Sequence, residues 1–295
     1  MSKEKATIPL SKGYNPKKLE FPVYISEKYD GMPVRIDINK DEQTLHVSQR
    51  TRQGTENIST AKDAAIFGLK ASDYLCDGSH SIIAEVTHET ITGFKNISGT
   101  IRRQEPNDGF IWNFFDYAMD ADAYFAYFRT RRVQLNDLFA CAKFPTKYRL
   151  IKQNLCENQK DVDQFLNNNP IRKDQEGWVI RSYNDLWEPG SRSWGYQKIV
   201  VTPTEDLPLV QVDEAISKDG IPLGMAGKLW VMYKGNKIGC GPGALTHPER
   251  IQLWTDWTAR WATWSNPIIE VKYKLDDTYD ALREARFVSY RPDKE

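Results

Sequence analysis

The sequence predicts an α+β protein: antiparallel sheets with flanking helices over residues 1–202, then a small five-stranded β-barrel over residues 203–295. Three observations predict it. Short apolar or alternating runs, the mark of strands, recur through the first two hundred residues. Amphipathic stretches of helical length separate some of them. After Thr202-Pro-Thr-Glu-Asp-Leu-Pro208 the pattern changes to closely spaced short strands with one helix, which suits a small barrel.

Phe21–Glu27 is extended, Lys28-Tyr-Asp-Gly31 is a tight turn, and Val34–Ile38 alternates as the next strand; residues 21–50 continue in this way, with a turn at Lys40-Asp41-Glu42. Residues 60–76 read as a helix broken near Gly68. Ser81–Thr87 and Gly109–Tyr117 read as buried strands. Ala121–Phe139 reads as an amphipathic helix with Arg129, Arg131 and Arg132 on its polar side. A short strand at Lys147–Asn154, a helix at Lys160–Asn168 and strands at Glu176–Ser182 and Tyr196–Val201 follow. In the barrel, Lys228–Tyr233 and Ile268–Lys274 are strands, Lys234-Gly-Asn-Lys237 is a turn, and the helix lies around Pro248–Trp264. A hinge is expected at 202–208.

Composition sets outer bounds. Of 295 residues, 40% are hydrophobic and 12% aromatic, enough for a real core in one large domain or two ordinary ones. The net charge is zero, so a polyanionic partner would have to be met by a local basic face. The four cysteines, Cys76, Cys141, Cys156 and Cys240, are far apart; this argues against a zinc site or disulfide framework and fits a reducing cytosol. No apolar leader or membrane-length run is present, so the expectation is a soluble, cytoplasmic protein with no membrane partner.

Several residues stand where chemistry is done. Lys28 ends a strand just before an Asp-Gly turn, and an amine there becomes a nucleophile if its pKa is lowered. The same pattern also describes a surface hairpin. Glu85 sits at the centre of the apolar strand Ile82-Ile-Ala-Glu-Val86, and a carboxylate in such a place is either paired or functional. Phe115 ends an apolar run and on its own reads as core. Glu176 opens another strand and on its own reads as a strand-cap acid. Lys198 precedes the hinge and on its own reads as an edge lysine.

Taken in order, these residues resemble the signature of the covalent nucleotidyltransferase superfamily, and the chain resembles the minimal ATP-dependent DNA ligases of viruses and bacteriophages over nearly its whole length. Lys28-Tyr-Asp-Gly31 resembles the adenylated-lysine motif, Ser48-Gln-Arg-Thr51 the next motif with one residue inserted, and Ile83-Ala-Glu85 the third. Phe114-Phe-Asp-Tyr117 resembles the adenine-stacking segment, Glu176-Gly-Trp-Val-Ile-Arg181 the fourth motif, and Gly190-Ser-Arg-Ser193 with Lys198 the fifth. Gly227-Lys-Leu229, Gly239–Gly243, Glu249-Arg250 and the ending Leu282–Lys294 resemble the family's OB-fold domain with its late Arg-x-Asp-Lys segment.

The resemblance implies ATP and Mg²⁺ as cofactors and nicked duplex DNA as partner. Phosphoryl transfer of this kind needs positioning and charge neutralisation above all. Lys28 is then the nucleophile that carries AMP. Glu176 holds the metal, and Glu85 contacts the ribose or a metal-bound water. Phe115 stacks on adenine, and Lys198 neutralises the α-phosphate and lowers the pKa of Lys28. Arg291, Asp293 and Lys294 orient pyrophosphate. Arg50 grips the 5′-phosphate of the nick, and Arg52, Arg192, Arg283 and Arg286 join it as DNA contacts. The mechanism needs only a monomer.

Two departures stand out. The family's first-motif arginine falls at Pro33, leaving Arg35, two positions on and therefore on the same strand face, to reach the ribose. The fifth motif's pair of lysines is reduced to Lys198, flanked at that spacing by Tyr196 and Val200. The rival readings are an mRNA-capping-type guanylyltransferase or an RNA ligase with the same lysine chemistry, and an inactive nucleic-acid-binding OB protein.

Overall fold

The computed structural model describes residues 8–294 apart from 57, 104, 106, 120–125, 173–174, 201, 264 and 277–280. The chain divides into two compact units, Met1–Val201 and Thr202–Glu295. In the first, the order is β1 (Lys12–Gly13), β2 (Val23–Lys28), β3 (Met32–Lys40), β4 (Leu45–Thr51), α1 (Ile58–Ser72), β5 (Gly78–His88), α2 (Phe94–Arg102) and β6 (Phe110–Met119). Then come α3 (Phe128–Ala142), β7 (Tyr148–Leu150), β8 (Gln153–Cys156), α4 (Gln159–Asn168), β9 (Gly177–Ser182) and β10 (Tyr196–Val200).

These strands form two five-stranded sheets, β1-β10-β9-β2-β8 and β4-β3-β5-β6-β7. Pairing is antiparallel except for β1 with β10 and β6 with β7. Alternation decides what each face carries. In β3, Val34, Ile36 and Ile38 are buried in one core with Phe67 of α1 and Leu135 of α3, which leaves Arg35 and Asp37 on the other face. In β2, Val23 and Ile25 pack with Val162 of α4, which leaves Tyr24, Ser26 and Lys28 on the opposite side.

Three sequence expectations change here. Helix α1 runs unbroken through Gly68; a Cβ at that position would meet the Val47 side chain at 2.5 Å, so the glycine lets helix and sheet approach. The helix expected at Ala121–Phe139 is Phe128–Ala142, with residues 121–125 outside the described set, and Arg131 on it is fully buried rather than on the polar side. The single strand expected at Lys147–Asn154 is two, β7 and β8, in different sheets.

The second unit contains β11 (Thr204–Ile216), β12 (Pro222–Tyr233), β13 (Asn236–Cys240), α5 (His247–Arg260), β14 (Ile268–Asp276) and β15 (Ala281–Tyr290). Residues 204–208, expected in the hinge, already belong to β11. The sheet order is β13-β12-β11-β14-β15, and a bridge between Gly241 and Arg286 brings its two ends together as a barrel. Leu209, Leu229, Val231 and Val271 fill the interior beneath Leu253 of α5. Glu249 closes a capping box with Thr246 at the start of α5, and Arg250 Nε donates to the Ala226 carbonyl at 2.7 Å. Both therefore serve the barrel itself.

Candidate active site

Lys28 is the last residue of β2. Its Nζ lies 2.6 Å from Oε2 of Glu176, which stands immediately before β9. Register explains the meeting: Lys28 pairs with Gly177, and Gly177 pairs with Val200 on β10. Gly177 has φ +153°, and a Cβ there would lie 1.9 Å from the Ile199 carbonyl oxygen. Only glycine lets β9 start in this place with Glu176 turned toward the lysine.

Glu85, on β5 of the other sheet, reaches the same pair. Its carboxylate accepts from the Gly31 N–H. Gly31 lies so close to β5 that a Cβ would be 2.4 Å from the Val86 carbonyl oxygen. The Asp-Gly turn after Lys28 is thus the joint between the two sheets, and it sets lysine and glutamate side by side. Two carboxylates around one ammonium fix the electrostatics. Burial, together with Glu176 and Asp30 and against the pull of Lys28, pushes Glu85 up to about 8. Burial pulls the Lys28 ammonium down, but Glu176, Glu85 and Tyr196 outweigh it and leave its pKa above the ordinary lysine value. This reverses the expectation of a lowered lysine pKa: between the two glutamates Lys28 is held protonated.

Lys198 shares the Lys28 face, one pleat away, opposite Val179 and across from Ser26. Tyr196, the residue found where a paired lysine was expected, has its ring 4.5 Å from the Arg181 guanidinium. Arg181 in turn is buried on Asp116 (2.6 Å) and Asp185 (2.9 Å), and Arg131 joins Asp116 at 3.0 Å. Burial alone would raise the Asp116 pKa, but the two arginines hold it below the usual carboxylate range. This cluster ties β6, α3 and β9 together behind the site.

On β3, Pro33 stands opposite Glu85 and Arg35 opposite Ile83. Arg35 Nε donates to Asp37 at 2.6 Å, Ser81 Oγ donates to the same carboxylate at 2.7 Å, and Arg50, directly across from Arg35 on β4, lies 3.6 Å from it. Asp37, which sequence reasoning passed over, therefore gathers two arginines; its spacing of two from Arg35 in a strand was the available signal. Phe115 falls in a β-bulge: Ile83 pairs with Asp116 and Ala84 with Phe114, leaving Phe115 without a cross-strand partner. The bulge turns its ring toward Ile8, Ile83 and Trp187 while Phe114 stays in the core.

The other residues expected at the site make contacts of their own. Arg192 donates to the Ser11 carbonyl, and Arg52 is exposed at the end of β4. In the barrel unit, Arg283 and Arg286 lie on β15 opposite Lys274 and Lys272. There too, Arg291 and Lys294 converge on Asp206 of β11. Among the described residues no group of three or more His, Cys, Asp or Glu side chains is spaced to hold a metal ion. No helix is long and apolar enough to cross a membrane.

Two sheets joined at a lysine-glutamate site, followed by a small barrel, define a nucleotidyltransferase with an OB-fold domain. The family model of the ATP-dependent DNA ligase domain matches residues 13–199, well over half of the chain, and the chain belongs to the ATP-dependent DNA ligases. Solved structures agree in fold. One described as "Pmar-Lig_Pre." has a TM-score of 0.80 at 16% identity, over 98% of this chain and 68% of that one. A Lig E DNA ligase described as binding DNA with a minimal scaffold has a TM-score of 0.65 at 16% identity, over 96% and 98%. The ATP-dependent DNA ligase of bacteriophage T7, in complex with ATP, has a TM-score of 0.56 at 12% identity, over 97% and 98%. Among curated protein sequences none matches the chain.

Proposed function

We propose that this ligase seals 3′-hydroxyl/5′-phosphate nicks in duplex DNA through a covalent lysyl-AMP and a DNA-adenylate, with Lys28 as the nucleophile. The observation that carries the reading is Lys28 Nζ at 2.6 Å from Glu176, with Glu85 in the same electrostatic cluster. In the first step the Lys28 amine attacks the α-phosphorus of ATP, the bond to the β-phosphate oxygen breaks, and pyrophosphate leaves. The lysine must lose its proton before it attacks; its Nζ donates to Glu176 at 2.6 Å.

Two facing carboxylates form a hard oxygen donor set that suits Mg²⁺, which binds through one or two carboxylates and substrate phosphate. Glu176 and Glu85 would hold it, and it would supply charge neutralisation at the triphosphate.

The other roles follow the family pattern. Phe115 stacks on adenine; its bulged ring supports this. Arg35 contacts the ribose and Lys198 the α-phosphate. Arg291, Asp293 and Lys294 orient pyrophosphate. Arg50, Arg52, Arg192, Arg283 and Arg286 contact DNA. Residues 1–202 act as the adenylation domain and 203–295 as the OB domain, in a cytoplasmic monomer.

The test is incubation with Mg²⁺ and α-labelled ATP or GTP in parallel, followed by a chase with nicked duplex. Label from ATP that sits on the protein, is absent in Lys28→Ala and is lost as nicks close supports the proposal. Label from GTP alone moves the reaction to the capping type. A Lys28→Ala variant that still seals nicks overturns it.

A further inference from the structure

The Arg-x-Asp-Lys segment at the end of the barrel is held in a defined arrangement. Arg291 Nη1 donates to Oδ1 of Asp206 at 3.0 Å, and Lys294 Nζ donates to Oδ2 of the same carboxylate at 2.5 Å. Arg291 Nε and Nη2 both donate to Asp293, at 3.1 and 3.0 Å. The backbone fixes the segment as well: the Arg291 N–H donates to the Ile268 carbonyl, and a single 3-10 turn at Pro292–Lys294 folds Lys294 back over the same place. Asp206 stands in the middle of the β11–β14 pairing, opposite Glu270, and its side chain is only 18% exposed. It belongs to the barrel wall.

We propose that Asp206 is a positioning residue for the adenylation step, setting Arg291 and Lys294 side by side to receive the pyrophosphate portion of ATP. The inference rests on the reading above that this segment acts on pyrophosphate. One carboxylate with each oxygen on a different cation fixes the distance between the cations. A guanidinium has five N–H donors and an ammonium three; Asp206 and Asp293 engage three of the first and Asp206 one of the second. The donors that remain can reach an anion while Asp206 keeps its hold. Two carboxylates also balance the two cations locally, so these long side chains stay ordered without an outside counter-ion. Placement made in advance is the part of the barrier that positioning removes.

The experiment splits the reaction by step. Single-turnover labelling with Mg²⁺ and α-labelled ATP reads lysyl-AMP formation. Sealing of a pre-adenylated nick without ATP reads the last step alone. Asp206→Asn, Asp206→Glu, Arg291→Ala and the double variant Asp206→Asn/Arg291→Ala are compared, each with its thermal midpoint. Expected for Asp206→Asn is an unchanged midpoint, labelling slowed by about tenfold, ATP-free sealing at the parent rate and partial recovery in Asp206→Glu. The double variant should be slower than Arg291→Ala only by the part that Asp206 contributes through Lys294, so its loss stays below the product of the two single losses. Labelling by Asp206→Asn at the parent rate overturns the inference. So does equal loss in both steps, or a double variant whose losses multiply. If Arg291→Ala itself labels at the parent rate, the pyrophosphate role of the segment falls first, and the inference falls with it.

Discussion

At the residue scale, the site is an ion cluster whose charges are set by one another. Lys28 forms an ion pair with Glu176 at 2.6 Å and acts electrostatically on Glu85. Lys28→Ala should abolish lysyl-AMP formation and also destabilise the protein by about 1–3 kcal/mol, because the part-buried Glu176 carboxylate loses its 2.6 Å ion pair. Denaturant unfolding checks the second part. Glu85 gives a pH signature. Its folded pKa, about 8, lies above the ordinary 4.5, so the folded state keeps a proton that the unfolded chain gives up. The stability this group contributes is full below about pH 4.5 and is lost as pH rises to about 8. The slope is at most about 1.4 kcal/mol per pH unit for one proton. Glu85→Gln should flatten the stability profile across that window, and an unchanged slope would refute the assignment.

At the element scale, the placement of the cluster depends on where β9 begins. Gly177→Ala forces a Cβ into the Ile199 carbonyl at a backbone angle that side chains rarely adopt. A loss of about 1–3 kcal/mol is expected, together with loss of adenylation, since β9 and β10 both move. Labelling at the parent rate would show that the strand start is not what aims Glu176. The Asp116 cluster joins β6, α3 and β9 from behind. Asp116→Ala leaves Arg131 and Arg181 buried without their shared partner. About 3–5 kcal/mol of destabilisation is expected in thermal or denaturant unfolding.

At the scale of the whole molecule, zero net charge means that DNA affinity must come from local basic groups. Binding to a nick should weaken as salt rises. Arg50→Ala, which removes one proposed phosphate contact beside Asp37, should reduce the slope of log affinity against log salt by about 0.9. Titration of nicked duplex at several salt concentrations measures it. An unchanged slope would remove Arg50 from the DNA surface.

The sequence by itself determined the class of protein and most of the order of its elements. It could do so because strand and turn patterns are local and because its motifs, taken in order, carry the signature of the family. It did not determine which groups meet. Arg131 reads as a polar-face residue on helical spacing, yet it is buried, since its partner Asp116 lies on a strand fifteen residues earlier. The direction of the Lys28 shift depends on carboxylates 57 and 148 residues away, and no local pattern sums those fields. Asp206 carries no motif at all; its hold on Arg291 and Lys294 exists only because β11 and the segment after β15 lie together in the folded barrel. Local chemistry is written along the chain, whereas pairing across the chain is decided by packing, and it was packing that set the charge state of Lys28.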